Sequence, residues 1–228
     1  GLDVLEVYGM TENCGYSHVC RPGKFKQGWI GQNSPGVEVR IAEDGEVQVR
    51  SGATMQGYYK DPEKTAETIT PDGFLRTGDK GEQDAEGNLR LTGRIKEIFK
   101  TSKGKYVAPA PIENRLGEHS RIEQVCVVGD GMAQPMALCV LSDVGRSEAL
   151  NGVRGELENS LKKLLEEVNQ SLDKHERLQR LVLVKDVWAV ENGFLTPTLK
   201  IKRAVVEGTY GERFEEWTAR SEAVLWHE

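Results

Sequence analysis

Apolar and polar residues alternate strictly along the first part of this chain. Val37-Glu38-Val39-Arg40-Ile41 and Glu46-Val47-Gln48-Val49-Arg50 carry apolar side chains at every second position, on either side of Glu43-Asp44-Gly45. A period of two interrupted by an Asp-Gly turn predicts a β-hairpin. The opening residues, Gly1-Leu2-Asp3-Val4-Leu5-Glu6-Val7-Tyr8, alternate in the same way and predict a strand entered in mid-fold. Asp61-Pro62-Glu63-Lys64-Thr65-Ala66-Glu67 predicts a short helix, with Asp61 as N-cap and Pro62 at the first helical position. Asp72-Gly73 and Glu86-Gly87-Asn88 predict turns.

The pattern changes near residue 95. From Gly93 to Pro109 the chain reads as a basic turn, an alternating strand, a Gly-Lys turn, a second short strand and a proline stop. A helix is predicted to start at Ala110 and run through Leu116. Ile122 to Val128 and Met136 to Leu141 are predicted partner strands, and Arg180 to Val184 another. Leu157, Leu161, Leu164, Leu165, Val168 and Leu172 recur at spacings of three and four. That places one apolar stripe on a helix of about six turns. The fold class implied is α+β, with a β-rich part over 1–95 and a small α+β part over 96–228.

Bulk properties narrow the function classes. The 228 residues suffice for one large or two small domains, with 38% hydrophobic and 29% charged residues and a formal net charge of −6. The absence of a long basic block argues against a nucleic-acid partner. No apolar run approaches the roughly 20 residues of a membrane span. The four cysteines, Cys14, Cys20, Cys126 and Cys139, form no Cys-x-x-Cys pair. Cys126 and Cys139 sit in apolar runs, where cysteine packs as a small hydrophobe, and this usage suits a reducing cytoplasm.

Four short motifs carry candidate chemistry. Tyr8-Gly9-Met10-Thr11-Glu12 offers a hydroxyl for a phosphate oxygen and a carboxylate for a hard cation such as Mg²⁺; taken alone, Thr11 reads as a helix cap. Arg76-Thr77-Gly78-Asp79 offers a carboxylate suited to two hydroxyl donors; taken alone, it reads as a surface Gly-Asp turn. Gly93-Arg94-Ile95-Lys96 leads into the hairpin that turns at Ser102-Lys103-Gly104-Lys105 and ends Val107-Ala108-Pro109. Pro197-Thr198-Leu199-Lys200-Ile201-Lys202-Arg203 closes the series, and from composition alone Lys202 competes with Lys200 for any role.

In this order the four motifs resemble the adenylate-forming, AMP-binding enzymes, the superfamily of acyl-CoA synthetases, luciferases and peptide-synthetase adenylation domains. The third and fourth are most similar to its long-chain fatty acyl-CoA synthetase branch, including Leu199 where many relatives have glycine. The resemblance implies activation of a fatty acid with ATP to an acyl-adenylate, then transfer to CoA. It implies that Thr11 contacts ATP phosphate, that Glu12 holds Mg²⁺, and that Tyr8 and Gly9 flank the adenine and acyl pockets. It further assigns Asp79 to the ribose, Arg94 to the nucleotide, Lys96 to a hinge, Gly104 to the CoA channel and Lys200 to catalysis of adenylation.

On that resemblance residues 1–95 are the C-terminal portion of the large AMP-binding domain, and 96–228 are the lid. Fatty acid, ATP and CoA are the expected small-molecule substrates. A cytoplasmic location is expected, with peripheral contact at the inner face of a membrane as a further expectation. The family's Ser/Thr/Gly-rich phosphate loop ending in Pro-Lys is absent from these residues, so the chain reads as the C-terminal share of an active site, inactive alone. The alternatives are a ligase that loads a carrier protein and a non-catalytic nucleotide-binding module.

Overall fold

The structure is a computed structural model that describes residues 4–227. The chain divides into two compact units, Gly1–Glu97 and Ile98–Glu228, and each is described by itself. Both contain helices and strands, the first mostly strands, and the fold is α+β as the sequence implies.

In the first unit, β1 (Val7–Tyr8), β2 (His18–Val19) and β3 (Gln32–Asn33) form a small antiparallel sheet. The predicted opening strand is shorter than expected. Gly1 to Asp3 lie outside the described residues, and Val4 to Glu6 are irregular. A four-stranded antiparallel sheet follows in sequence order: β4 (Glu38–Ile41), β5 (Glu46–Arg50), β6 (Leu75–Gln83) and β7 (Leu89–Arg94). The predicted hairpin is β4–β5, with Val39 opposite Val49 and Ile41 opposite Val47. Its apolar face packs Val47 and Val49 with Ile30, Val37, Leu75 and Leu89. The helix α1 (Pro62–Thr68) starts as predicted, because the Asp61 carboxylate accepts the Lys64 N–H at 2.9 Å.

Gly93 and Arg94 correct one expectation. They are not a basic turn but the end of β7, where Arg94 pairs in register with Asp79. The ion pair with Asp79 holds this basic residue in the ladder. A 3-10 turn at Ile95–Glu97 follows, and exposed Lys96 lies in it.

In the second unit, β8 (Phe99–Lys100) and β9 (Tyr106–Val107) form the predicted short hairpin. Pro109 does not stop the chain. It occupies the first position of α2 (Pro109–Gly117), where its missing N–H has no partner to lose. A four-stranded sheet then runs in the order β10 (Ile122–Val128), β11 (Met136–Leu141), β12 (Leu181–Val184) and β13 (Val224–His227). The β10–β11 pair is antiparallel, and β12 and β13 add in parallel. Arg180 stands just before β12 and not in it; its buried guanidinium bonds the carbonyls of Glu222 and Arg220.

Every residue of β11 is buried, because both faces of the sheet are covered. One face packs Val125, Val127, Ala137 and Cys139 on α2 and on α4 (Arg154–Gln170), which follows α3 (Asp143–Leu150). The other packs Cys126, Leu138 and Val182 against Trp188, Phe194 and the helices α5 (Arg203–Tyr210) and α6 (Phe214–Ala219). Cys126 and Cys139 are thus buried, as their apolar runs imply, and burial pushes the Cys139 thiol well above its usual range. The leucine stripe is real, with Leu157, Leu161, Leu165 and Val168 buried, but α4 has 17 residues, nearer five turns than six. Leu172 falls beyond its end.

Two outcomes follow for stability. Leu161 is fully buried against the sheet, so Leu161→Ala should destabilise the second unit by about 2–5 kcal/mol, the ordinary cost of a core leucine; a denaturant titration measures it. His18 is buried beneath Tyr8, and burial lowers its pKa to about 4. Its folded pKa lies below the unfolded value, so its neutral form supports stability at pH above about 6.5, and that support is lost as pH falls toward 4. The loss should reach about 3 kcal/mol. Thermal melts across this range should show a steeper decline for the native chain than for His18→Gln.

Candidate functional site

The first unit gathers its candidate residues around a defect in β6. Glu46 pairs with Lys80, yet Gln48 pairs with Arg76, so a step of two residues along β5 faces a step of four along β6. The excess is a β-bulge at Thr77-Gly78-Asp79, a device that re-aims side chains. Gly78 takes φ +72°, a conformation in which glycine carries no Cβ penalty. The Thr77 hydroxyl donates to the Val47 carbonyl at 2.6 Å and accepts the Asp79 N–H at 3.1 Å. Asp79 is therefore not in a surface turn. It is 7% exposed, on a bulge tied down from both sides.

Two groups meet the Asp79 carboxylate. Tyr8 Oη donates to Oδ2 at 2.7 Å, and Arg94 Nε forms an ion pair with Oδ1 at 3.0 Å. The three residues come from β1, β6 and β7 and are up to 86 positions apart, the span from Tyr8 to Arg94. Burial above all, and then the Asp79 charge, hold the Tyr8 phenol well above its usual range. Tyr8 thus remains a donor. An ionised carboxylate offers roughly four acceptor positions, so one hydrogen bond and one ion pair leave room for hydroxyl donors of a ligand.

Tyr8 leads directly into the second feature. Thr11–Asn13 form a single 3-10 turn, and Met10, not Thr11, occupies the position before it. Thr11 is therefore the first residue of the turn and not its cap; the Met10 N–H is met instead by Asn13 Oδ1 at 2.9 Å. The Thr11 side chain is left exposed. Gly9 is required by crowding: a Cβ there would lie 2.3 Å from the Gly15 carbonyl carbon. Glu12 is half-buried, with Oε1 accepting from Tyr58 Oη at 2.7 Å and its backbone carbonyl accepting the Met55 N–H. The hydrogen bond to Glu12 raises the Tyr58 pKa. Tyr58 is a partner that sequence reasoning missed; the Gly57-Tyr58-Tyr59 run carries no spacing signal that points to Glu12.

Among the described residues no cluster of three or more His, Cys, Asp or Glu side chains stands together as a metal cage. Glu12 alone, with one oxygen bonded to Tyr58, fits the way Mg²⁺ is commonly held, by one or two carboxylates with water and substrate phosphates.

In the second unit, Lys200 is exposed on a loop closed by a bridge between Leu195 and Ile201. Thr196 N–H donates to the Lys200 carbonyl at 2.8 Å, and Lys200 N–H to Thr196 Oγ1 at 3.1 Å. Leu199 takes φ +61° and is 71% exposed. That backbone region is uncommon for a branched residue. Three residues past Lys200, Arg203 bonds Glu113 Oε1 at 2.7 Å and the Val127 carbonyl at 2.6 Å, tying the end of this loop to α2 and β10. Gly104 lies at the exposed tip of the β8–β9 hairpin with φ +74°, beside exposed Lys103, Lys105 and Tyr106.

Comparison with known proteins places this geometry in a family. Residues 96–222 match the family described as AMP-binding enzyme C-terminal domain. The long-chain-fatty-acid--CoA ligase FadD15 of Mycobacterium bovis is 33% identical over 228 residues, covering 94% of this chain and 38% of that protein. The human long-chain-fatty-acid--CoA ligase 6 is 31% identical over 241 residues, covering 95% of this chain and 35% of its own length. The chain therefore spans little more than a third of the curated relatives it matches. Among solved structures, the A domain of a carboxylic acid reductase from Segniliparus rugosus, in complex with AMP and a co-purified carboxylic acid, matches with a TM-score of 0.74 and 27% identity, covering 94% of this chain and 35% of that one. The adenylation domain of a carboxylate reductase from Mycobacterium chelonae matches with a TM-score of 0.75 at 22% identity, covering 95% and 35%, a likeness of fold. The ordered motifs and these matches agree: the chain belongs to the AMP-binding, adenylate-forming enzymes and carries their C-terminal domain.

Proposed function

We propose that this chain is the C-terminal share of a long-chain fatty acid–CoA ligase that forms an acyl-adenylate from fatty acid and ATP and then an acyl-CoA. The observation that carries it is the buried Asp79 carboxylate, hydrogen-bonded by Tyr8 and ion-paired with Arg94 with acceptor positions to spare, in a chain whose curated relatives include long-chain-fatty-acid--CoA ligases. Asp79 accepts the ribose hydroxyls, and Arg94 lies beside it for the nucleotide. Tyr8 and Gly9 shape the wall between adenine and acyl group. The exposed Thr11 hydroxyl donates to a phosphate oxygen. Glu12 holds Mg²⁺, which neutralises phosphate charge when bound.

In the first half-reaction a fatty-acid carboxylate oxygen attacks the α-phosphorus and pyrophosphate leaves. Charge develops on the α-phosphate oxygens, and a fixed cation there lowers the barrier. Lys200 is that cation; a flexible lysine on an exposed loop acts as a point charge. In the second half-reaction the CoA thiol attacks the acyl carbon and AMP leaves. Gly104, without a side chain, leaves space for the pantetheine arm. Lys96, in the 3-10 turn that ends the first unit, serves as the hinge that exchanges the two half-reactions. No enzyme nucleophile is needed. Among the described residues no helix is long and apolar enough to cross a membrane.

The direct assay supplies the full-length protein with a long-chain fatty acid, ATP, Mg²⁺ and CoA. Stoichiometric AMP and acyl-CoA are expected. Acyl transfer only to a carrier protein would favour carrier loading, and nucleotide binding without turnover would favour a non-catalytic module. This chain on its own should show no turnover near the ~1 s⁻¹ of an ordinary enzyme, because the phosphate loop and most of the acyl pocket are not among its residues.

Lys200→Ala in the full-length protein should slow acyl-adenylate formation by about a hundredfold or more, the scale of losing one preorganised charge contact. Supplied acyl-adenylate should still react with CoA. Equal loss in both half-reactions would remove Lys200 from this role. Lys96→Pro fixes φ near −65° and should abolish one half-reaction selectively; unchanged rates for both would rule out the hinge.

A further inference from the structure

Glu46 is a buried carboxylate beside the site that none of these roles uses. On the alternation of β5 it belongs with Gln48 and Arg50 on the polar face, opposite Val47 and Val49. Even so, Glu46 is 5% exposed and Gln48 3%. Burying a carboxylate is costly unless its oxygens are met by donors. Here they are. Oε1 accepts the Gly78 N–H at 3.1 Å, and Oε2 accepts Gln48 Nε2 at 2.8 Å and faces Arg76 at 3.4 Å.

These bonds reach the apex of the bulge that carries Asp79. Gly78 at φ +72° turns its N–H out of the β5–β6 ladder, where Gln48 pairs with Arg76 and Glu46 with Lys80. That N–H needs an acceptor, and Glu46 Oε1 supplies it. The neighbouring Asp79 N–H is taken by Thr77 Oγ1. Two side chains thus hold two successive amides, and their orientation sets where the Asp79 carboxylate points. An amide in place of Glu46 could not accept from all of these donors at once. Both of its terminal atoms face donors, so one position would set an NH₂ group against another N–H.

We propose that Glu46 is a positioning residue: its carboxylate holds the Thr77–Gly78–Asp79 bulge in the shape that presents Asp79 to the ribose of the nucleotide. The proposal rests on the assignment of Asp79 to the ribose made above. Glu46 touches no substrate and acts through the backbone of Gly78.

The test is steady-state kinetics of the full-length protein with ATP and with 2′-deoxy-ATP. The native enzyme should prefer ATP, and Asp79→Asn should erase most of that preference. Glu46→Gln should raise KM for ATP about tenfold, the scale of one hydrogen bond to a charged group, and bring the two nucleotides toward equal KM. KM for fatty acid and for CoA should be unchanged, and in the Asp79→Asn background Glu46→Gln should add nothing. A merely structural Glu46 would lower the yield of active enzyme without moving the ratio of the two KM values. If Asp79→Asn erases the preference while Glu46→Gln keeps it, the positioning role is overturned and the ribose assignment stands. If Asp79→Asn keeps the preference, both fall. Should Glu46→Gln fail to fold, Glu46→Asp keeps the charge but withdraws it from Gly78. The same loss of preference is expected there, and a native ratio would overturn the proposal.

Discussion

A carboxylate buried on a strand must be met by donors, and the first unit is organised around meeting one. Asp79 is held by Tyr8 from β1 and Arg94 from β7, across two different sheets. Removing either partner would leave a buried charge partly uncompensated, which costs more than the net worth of the pair. The bulge that carries Asp79 is itself fastened by buried polar side chains, Glu46 and Thr77, while Val47, Val49 and Leu75 of the same two strands pack in an apolar layer. A polar network of this kind holds only when its members are satisfied together. That explains why four residues of modest individual signal, Glu46, Thr77, Gly78 and Asp79, form one geometric unit.

The second unit solves a different problem. Its central strand β11 is apolar on both faces and needs a layer on each. The helices α2 and α4 supply one, and an aromatic group of Trp188, Phe194, Tyr210 and Trp217 anchors the other. From this packed core two exposed loops project, one bearing Gly104 and one bearing Lys200. Functional loops on a packed scaffold are a common arrangement, because only the scaffold needs to bury surface. Arg203, bonded to Glu113 and Val127, fixes the base of the Lys200 loop while its tip stays open.

Much of this was legible in the residues. Strict alternation located β4 and β5, the leucine stripe located α4, and Asp61-Pro62 located the start of α1, because each is a local signal with one dominant cause. Less was legible where tertiary contact overrides local preference. Gly93-Arg94 reads as a turn until Asp79 is placed opposite it in the ladder. Thr11 reads as a cap until the turn is seen to start one residue earlier, with Met10 at the cap position. β13 adds to β12 in parallel across 39 intervening residues, counted from Val184 to Val224, and no periodicity announces such a pairing. Glu46 and Gln48 look like solvated polar positions because alternation reports which face a side chain is on, not what covers that face. The motif residues Tyr8, Asp79 and Arg94 were each named from the sequence, but their mutual contact depends on a bulge that two register pairs reveal and a string of letters does not.

Equilibrium binding of AMP tests the proposed anchoring of the nucleotide by Asp79 with the least interference from turnover. Calorimetric titration of the full-length protein should show AMP affinity falling at least about tenfold in Asp79→Ala, as for loss of a charge-assisted hydrogen bond, with Lys200→Ala close to the native value. AMP affinity unchanged by Asp79→Ala would contradict the account.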